Sequence, residues 1–581
     1  MKKSDKLELR WPGKDDWEKP EPRLLLEKSS YGTRKSAEEN LLIYGDNLLG
    51  LKALARDFTG KIKCVYIDPP FNTKSIFDYY DDKLEHSRWL NMIKERLVII
   101  HKLLRGDGTL FIHLDDSEMA YAKVLLDEVF GRKNYLNTIT MTTNEPSGFK
   151  ATSSTIFSTA NYLLVYSKNK NLNSLKKIYI AKEYDTAYSK VLLNPTEHYS
   201  KWKWESIRVV VAKKLGFDSP RRAKNELKND FETAISEYAL ANSKNIFQTA
   251  AIGGGAAIKR AETIRKSKKD PESVFVHPNE DVDNFYILNG RQILFYKDRM
   301  VKIDGNIVPG EIITDVWTDI SWTGIAGEGG VEFKNGKKPE ALIKRVLELS
   351  TNPKDLILDC FAGSGTTGAV AHKMGRKWIM IELKDHCHSH IIPRLQKVID
   401  GSDKSGISEV VGWEGGGGFR YCNLAPSLLE KNKFNRWTIS KKYNPVMLIE
   451  AMCKLDGYTF NPRGEPWWMH GQSNENDFIF VTATTLTRTQ LIQLSQSLGE
   501  SQSLLVYCGA FRGDPKEFEN LTIKKIPKSI LPKCEWGRDD YSLKIALQEE
   551  AKRANQRKPK TQHVTSSEVM RMPLAAKGGR S

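Results

Sequence analysis

The segment Asp68-Pro69-Pro70-Phe71 combines residue types that can bind an amino group. It directly follows the apolar run 62–67, and tandem prolines end a strand while leaving neighbouring carbonyls available as acceptors. An aspartate beside such a carbonyl offers two acceptors to an amino group that carries two hydrogens. Phe71 adds a flat surface on which an aromatic ring can stack. The segment therefore predicts a site for the exocyclic amino group of a nucleobase; the plainer alternative is a solvent-exposed Asp-Pro turn.

A second motif lies far along the chain and has the residues of a cofactor loop. Gly363, Gly365 and Gly368 satisfy G-x-G-x-x-G between the apolar strand DLILD and a predicted helix, and Glu382 ends the next strand. Glycines let a cofactor approach the backbone closely, and an acid in that position can hold ribose hydroxyls. The motif predicts a nucleoside-containing cofactor. On these residues alone, a dinucleotide such as NAD and a tight turn without a ligand both remain open.

Together the two motifs resemble those of amino-methyltransferases that act on DNA. Asp68-Pro69-Pro70-Phe71 resembles their catalytic motif, and D-x-F-x-G-x-G at 359–365 resembles their S-adenosylmethionine motif. The catalytic motif precedes the cofactor motif, with a long segment between them, which is the order of the circularly permuted β-class. Further stretches resemble the modification (Mod) subunits of type III restriction–modification systems, namely YGDN, YIDPPFNT, GTLFIHLDD, LLVYSKN, KKPEALIKRVLELS, LDCFAGSGTTG and GGGGFRYCNL.

The resemblance implies a role for each matching residue. Asp68 and the carbonyl of Pro69 would accept hydrogen bonds from the N6 amino group of adenine, with Pro70 completing the motif. Phe71, where the family most often has Tyr, would stack on a base flipped out of the duplex. Within the cofactor site, Glu382 would hold the ribose and Asp46 the adenine. The full set of implied cofactor-binding residues is Asp46, Lys338, Pro339, Glu340, Asp359, Phe361, Gly363, Ser364, Gly365, Thr366, Thr367 and Glu382.

The elements that must position these motifs alternate between apolar strands and amphipathic helices on both sides of a lysine-rich middle segment. This alternation predicts an α/β fold with a mainly parallel sheet. The resemblance makes it a Rossmann-like, circularly permuted S-adenosylmethionine-dependent methyltransferase core, with an inserted recognition domain and a smaller C-terminal α/β domain. The predicted units are an N-terminal arm (1–40), the catalytic half of the core (41–167), the inserted target-recognition domain (168–310), the cofactor half (311–414), the C-terminal domain (419–550) and a basic, disordered tail (551–581).

Composition narrows the class of protein. The 581 residues carry 89 Lys and Arg against 72 Asp and Glu, a net charge of +17, so a polyanion is the first partner to expect. We expect no secretory signal and no membrane helix, because no apolar run has the necessary length. Seven scattered cysteines without a C-x-x-C pair are typical of a reducing compartment. The resemblance implies a prokaryotic, cytoplasmic protein.

Two histidine-containing stretches leave smaller questions. His386-Cys387-His388-Ser389-His390 has ligand types, but they alternate along a predicted helix and would point in different directions, so we predict no metal. His113 follows the strand TLFIHL near the predicted catalytic edge. It could line the pocket, and a structural histidine with satisfied hydrogen bonds is an equal alternative.

The resemblance implies a DNA adenine-N6 methyltransferase that uses S-adenosylmethionine and acts on double-stranded DNA. It also implies a homodimer and a helicase–nuclease restriction subunit as partners. Methylation of cytosine N4 or of an RNA base is the nearest alternative, although cytosine-N4 enzymes more often carry Ser before the two prolines. An NAD-dependent oxidoreductase would explain the glycines but not Asp68-Pro69-Pro70-Phe71. A DNA-specificity subunit that no longer catalyses is the non-enzymatic alternative.

Overall fold

A ten-stranded sheet forms the centre of the computed structural model, which describes residues 7–70, 82–143, 156, 158–173, 175–277, 285–303, 305–333 and 336–542. The six strands in its middle are mutually parallel, and the pairings on either side of Ala160–Ser167 are antiparallel. The predicted mainly parallel α/β fold is thereby confirmed. In spatial order the strands are Leu25–Gly32, Gly418–Leu424, Leu41–Tyr44, Lys377–Glu382, Leu356–Asp359, Ile62–Ile67, Leu104–Leu114, Ala160–Ser167, Tyr135–Thr142 and Val316–Trp317.

Helices cover both faces of this sheet, because alternate residues of each buried strand face opposite sides. In Ile62–Ile67, for example, Cys64 and Tyr66 pack into one core while Val65 and Ile67 pack into the other. The helices on the first face are Glu340–Ser350, Thr366–Lys373 and Ile392–Asp400. The helices on the second face are Asn47–Phe58, Asp82–Leu103 and Asp116–Leu126.

The strand order brings the two sequence motifs together. Leu356–Asp359 lies in parallel beside Ile62–Ile67, with Leu358 opposite Val65. Parallel neighbours end at the same edge of a sheet, and ligands of open α/β folds bind at that edge. Asp359 and Asp68 therefore lie near each other at this edge of the sheet although they are far apart in the chain.

The middle of the chain forms a second sheet with its own helices. Its strands, in spatial order, are Val274–His277, Phe285–Leu288, Arg291–Phe295, Ile246–Ala250, Lys190–Leu192 and Trp204–Ser206. Its helices are Ile207–Lys214, Pro220–Leu227, Asn229–Ala241, Gly254–Lys259 and Ala261–Lys269. A small sheet of Met300–Ile303, Asn306–Ile312 and Tyr179–Ala181 connects it to the core. The structure thus places separate packing units within the predicted insertion 168–310; its role in recognition stays a prediction.

The C-terminal part contains a five-stranded sheet. Its strands are Thr459–Phe460, Gly471–Asn474, Asp477–Val481, Ser503–Cys508 and Leu521–Lys525, accompanied by helices Pro445–Asp456 and Arg488–Gln496. Two two-stranded sheets, Leu429–Lys431 with Trp437–Ile439 and Thr485–Leu486 with Ala510–Phe511, complete it. None of the described helices combines the length and the apolar character that a membrane span requires. The predicted basic tail 551–581 lies outside the described residues.

Two of the predicted domain boundaries need correction. Gly418–Leu424 pairs in parallel with Leu41–Tyr44, so the C-terminal domain does not begin at 419. Leu25–Gly32 pairs with Gly418–Leu424 in antiparallel fashion, so residues 25–32 belong to the central sheet and not to a separate N-terminal arm. The glycines between the predicted units 311–414 and 419–550 lead directly into the strand Gly418–Leu424, with positive φ angles at Gly415, Gly416 and Gly417 (116°, 110° and 85°). Such angles favour glycine and allow a tight turn.

Candidate active site

Two aspartates define the site at the carboxyl edge of the sheet. Asp359 is the last residue of its strand, and Asp68 directly follows the fully buried strand Ile62–Ile67. The pKa of Asp359 is raised to about 7, mainly by burial and to a smaller extent by the charges of Asp68 and Glu382; hydrogen bonds from the Thr367 hydroxyl (2.6 Å) and the Phe361 N–H (2.9 Å) act in the opposite direction. The site is therefore a desolvated place where carboxylates from separate motifs face one another.

The two carboxylate oxygens of Asp68 have different surroundings. Oδ2 lies 2.5 Å from the ammonium of Lys338, which comes from the segment before helix Glu340–Ser350. Oδ1 has no exposed surface, and none of the described residues donates a hydrogen bond to it. Burial raises the pKa of Asp68, and the Lys338 charge and hydrogen bond lower it. One oxygen is thus held by the protein and the other is available to a ligand.

The prolines are fixed from the helix on the second face. The indole N–H of Trp89 donates to the carbonyl of Pro70 at 2.9 Å. Pro69 is buried, and within the described residues its carbonyl accepts no hydrogen bond, as the predicted acceptor role requires. Phe71, the predicted stacking residue, lies outside the described residues. Trp89 was missed by the sequence analysis because nothing in an amphipathic helix marks one indole as a partner of a distant carbonyl.

His113 lies beside this cradle and has a full set of partners. Its Nδ1 is 3.0 Å from the Tyr66 hydroxyl, and its Nε2 is 3.1 Å from the Asn161 amide nitrogen. Burial, and then the charge of Lys338, hold the pKa of His113 well below its usual value, so the ring is neutral. Trp322 packs edge-on against this ring with centroids 6.1 Å apart. These contacts match the structural alternative for His113.

The glycine loop has the conformation and the space that a cofactor requires. Gly363 (φ +54°) and Gly365 (φ +77°) lie in the left-handed region, where other residues are strained. A side chain at Gly363 would meet only a backbone oxygen at 3.8 Å, so this side of the loop is open. A side chain at Gly368 would instead lie 2.3 Å from Met380, so the third glycine serves helix–strand packing. The open side of the loop fits a nucleoside cofactor such as S-adenosylmethionine.

Glu382 closes the loop from the neighbouring strand. Its carboxylate accepts the Gly363 N–H at 2.9 Å and the Lys384 N–H at 3.0 Å. Phe361 is half-buried next to it. The acid predicted to hold a ribose is therefore at the loop, where its backbone contacts orient it.

Glu340 is placed behind the loop. It is fully buried and binds the Lys373 ammonium at 2.8 Å and the Arg394 guanidinium at 2.7 Å. Arg394 in turn donates to the Thr366 hydroxyl at 2.8 Å, and Thr366 lies 3.1 Å from the Ser364 hydroxyl. These contacts give Glu340 a bracing role where the resemblance implied contact with a cofactor. Pro339 is the N-cap residue of the helix that begins at Glu340.

Asp46 likewise bonds to protein groups. Its Oδ1 accepts the Leu48 and Leu49 N–H groups at 2.8 and 3.2 Å and so caps helix Asn47–Phe58. Its Oδ2 accepts the Tyr541 N–H at 2.9 Å and lies 3.7 Å from Arg96. The predicted contact between Asp46 and the adenine of the cofactor would have to displace these bonds.

The three histidines of 386–390 have separate partners. His388 Nε2 lies 2.6 Å from the Tyr421 hydroxyl, and His390 Nε2 lies 3.0 Å from the Glu332 carbonyl. His386 Nε2 is 3.1 Å from Glu382. In the part of the chain that the structure describes, no three His, Cys, Asp or Glu side chains form a group that could hold a metal ion.

Comparison with known proteins relates both motifs of this site to one family. Residues 62–392, more than half of the chain, match the N6_N4_Mtase family model, described as DNA methylase. The probable type III restriction-modification enzyme HindVI Mod subunit of Haemophilus influenzae is 34% identical over 414 residues, which cover 67% of this chain and 54% of that protein.

Two further relatives are more distant. The EcoP15I Mod subunit of Escherichia coli is 25% identical over 61% of this chain and 60% of its own length. The type II methyltransferase M.EcaI of Enterobacter cloacae is 26% identical over 65% of this chain and 75% of its own length. The chain thus spans between half and two thirds of the type III relatives it matches here.

Proposed function

Because the chain belongs to the DNA methylase family, we propose that it transfers a methyl group from S-adenosylmethionine to N6 of an adenine in double-stranded DNA. The observation that supports this most is a pair of acceptors beside the open glycine loop, Asp68 Oδ1 and the Pro69 carbonyl, to which none of the described residues donates. A buried acceptor without a donor is costly, so a ligand donor is expected there. An exocyclic amino group supplies two donors at one atom.

The residues that would hold the cofactor are Phe361, Gly363, Gly365 and Glu382. When bound, S-adenosylmethionine supplies an electrophilic methyl group. Asp68 Oδ1 and the Pro69 carbonyl accept hydrogen bonds from the two hydrogens of the amino group, which directs the nitrogen lone pair out of the plane of the base; one of these hydrogens leaves as a proton during or after the transfer. The chain's contribution is the alignment of two reactants in a site from which water is excluded.

The choice of adenine rests on the residue before the prolines. Asp68 resembles the adenine enzymes, whereas cytosine-N4 enzymes more often carry Ser in its place. The family match covers both N6 and N4 chemistry. Cytosine N4 and RNA bases therefore remain outcomes of the test below.

We also propose that the chain is the modification subunit of a type III-like restriction–modification system. The Mod relatives support this, and the proposal includes a homodimer and a helicase–nuclease partner. The inserted unit would recognise the target sequence. Its helix Ala261–Lys269 carries four exposed cations, Arg265, Lys266, Lys268 and Lys269, of which Lys266 pairs with Glu262. Such a surface suits contacts with phosphates.

Product analysis tests the proposed function. Labelled S-adenosylmethionine would be incubated with the protein and genomic DNA that lacks methylation, and with total RNA in parallel, before digestion and separation of the nucleosides. We expect labelled N6-methyladenine from DNA. Labelled N4-methylcytosine would overturn the choice of base, and label in RNA alone would overturn the choice of nucleic acid. Binding of NAD in preference to S-adenosylmethionine would overturn the methyltransferase proposal itself.

A further inference from the structure

The contact between Lys338 and Asp68 joins two motifs to which the resemblance assigns different roles. Lys338 belongs to the segment expected to close the cofactor pocket, yet its ammonium lies 2.5 Å from Oδ2 of the predicted catalytic carboxylate. Both side chains are largely buried, with 9% and 19% of their surfaces exposed. Oδ1 has no donor among the described residues.

We propose that Lys338 is a positioning residue that holds Oδ2 of Asp68 and thereby presents Oδ1 to the amino group of the target base. This inference rests on the proposed function. A carboxylate held at one oxygen cannot rotate freely, so the remaining lone pairs keep a fixed direction. A methyl transfer that depends on the direction of one N–H bond gains from this restriction.

The position of Lys338 is itself fixed by its chain neighbours. The ammonium of the preceding Lys337 donates hydrogen bonds to the carbonyls of Ala326 at 3.0 Å and Val331 at 2.8 Å, and also to the carbonyl of Glu328. The helix that follows is anchored through Glu340 to buried Lys373 and Arg394. Lys338 therefore extends from a backbone that is held on both sides.

Stability alone is a weak explanation for this ion pair. Two charges removed from water lose hydration that their attraction often fails to offset, so a buried pair is poor evidence of a stabilising role. Within the described part of the chain, this pair also leaves one buried oxygen of Asp68 without a donor, which adds a further cost. A site that must bind an amino group accounts for both features.

The charges around Asp68 leave Lys338 as the residue that favours the ionised form of the Asp68 carboxyl among the described residues. Asp359 faces Asp68 from the neighbouring strand, and Tyr66 faces it from the strand that Asp68 follows. Neither side chain can supply positive charge. His113, which faces Lys338, is neutral because its pKa is well below the usual value. Within the described residues, Lys338 is thus the cation that opposes the rise in the pKa of Asp68 caused by burial. Without it, Asp68 should take up a proton at a higher pH and stop accepting from the base.

The test compares Lys338→Met and Lys338→Arg with Lys344→Met, a control on the following helix whose lysine pairs with Glu348. The turnover number is measured against pH, and KM for DNA and Kd for S-adenosylmethionine are measured separately. For Lys338→Met we expect turnover to fall by about tenfold or more, with its acidic limb moved up by about one to three pH units, the range for loss of a neighbouring opposite charge. In Lys338→Arg the acidic limb should lie at the same pH as in the wild type. Lys344→Met should match the wild type in both turnover and pH dependence.

Two results would overturn the inference. One is a uniform loss of turnover in Lys338→Met with an unchanged acidic limb, which a merely structural role would give. The other is loss of S-adenosylmethionine affinity with unchanged turnover at saturation, which would return Lys338 to the cofactor pocket.

Infrared titration of the Asp68 carboxyl, assigned with Asp68→Asn, provides a readout that needs no catalysis. It should show protonation at higher pH in Lys338→Met than in the wild type. If the wild type methylates no nucleic acid, the proposed function fails, while an unchanged titration would show separately that the inference about Lys338 fails. Melting curves identify a variant that does not fold, in which case Lys338→Arg and Lys338→Gln carry the comparison.

Discussion

Glu340→Gln should lower the free energy of unfolding far more than Glu348→Gln, the same change elsewhere on the same helix. The substitution keeps the shape of the side chain and removes its charge. Glu340 is fully buried and binds both Lys373 and Arg394, which are fully buried themselves. Lys373 keeps a second carboxylate, Asp403, at 2.7 Å, whereas Arg394 loses the carboxylate it binds.

The expected cost follows from that difference. Removal of one partner from a buried ion pair typically costs about 3–5 kcal/mol, because a charge is left without compensation. Glu348→Gln breaks the i,i+4 pair with Lys344, whose side chains are partly exposed (34% and 17%), and such pairs are worth about 0.3–0.5 kcal/mol. The predicted difference between the two variants is therefore about 3 kcal/mol, a large part of the stability of an ordinary domain.

Denaturant unfolding followed by tryptophan fluorescence measures the difference, with the midpoint of the core transition compared among wild type, Glu340→Gln and Glu348→Gln. Affinity for S-adenosylmethionine should fall as well in Glu340→Gln, because Arg394 also holds the Thr366 hydroxyl of the glycine loop. Equal midpoints for the two variants would refute the reasoning. So would a loss of cofactor affinity with no loss of stability, since that would make Glu340 a direct ligand.

Two further predictions concern the carboxylates around the cofactor loop. Asp46→Ala removes a helix cap and also the carboxylate 3.7 Å from the buried guanidinium of Arg96, so the free energy of unfolding should fall by more than the roughly 0.5–2 kcal/mol of a cap alone. Calorimetry should show S-adenosylmethionine affinity within about twofold of wild type; a much larger loss of affinity would establish the adenine contact instead. Asp359 has a pKa raised to about 7, so its contribution to stability is full below about pH 4 and is lost as pH rises through 7. Between pH 4 and 7, the melting temperature of the wild type should therefore fall relative to that of Asp359→Asn. Parallel curves of melting temperature against pH would contradict the raised pKa.

The sequence was sufficient to place both motifs at one edge of the sheet. Asp68 follows a short apolar strand and Asp359 ends another, and parallel strands end at the same edge, whereas the proximity of the two residues depends on the two strands being neighbours. The glycine pattern also indicated where the backbone opens, although Gly368 serves packing against Met380. These inferences depend on local pattern and on a rule of topology.

The remaining features depend on tertiary packing, which a local pattern does not contain. Lys338 and Asp68 meet because a loop before a helix on one face lies over the end of a strand. Nothing in KKPE distinguishes a lysine directed at a cofactor from one directed at a carboxylate. The predicted break between 414 and 419 is wrong because a flexible linker and a tight turn with left-handed glycines have the same composition.

The most direct test of the central claim is methyl transfer to unmethylated genomic DNA by the wild type and by Asp68→Asn, with S-adenosylmethionine binding measured on the same preparations. Asp68→Asn replaces one acceptor oxygen of the carboxylate with a donor and leaves the glycine loop intact. We predict N6-methyladenine from the wild type, and from Asp68→Asn normal cofactor binding with transfer reduced by about a hundredfold to a thousandfold, the order of loss seen when one positioned hydrogen-bonding group is removed. Transfer by Asp68→Asn at the wild-type rate would contradict the assignment of Asp68 as the residue that binds the target amino group.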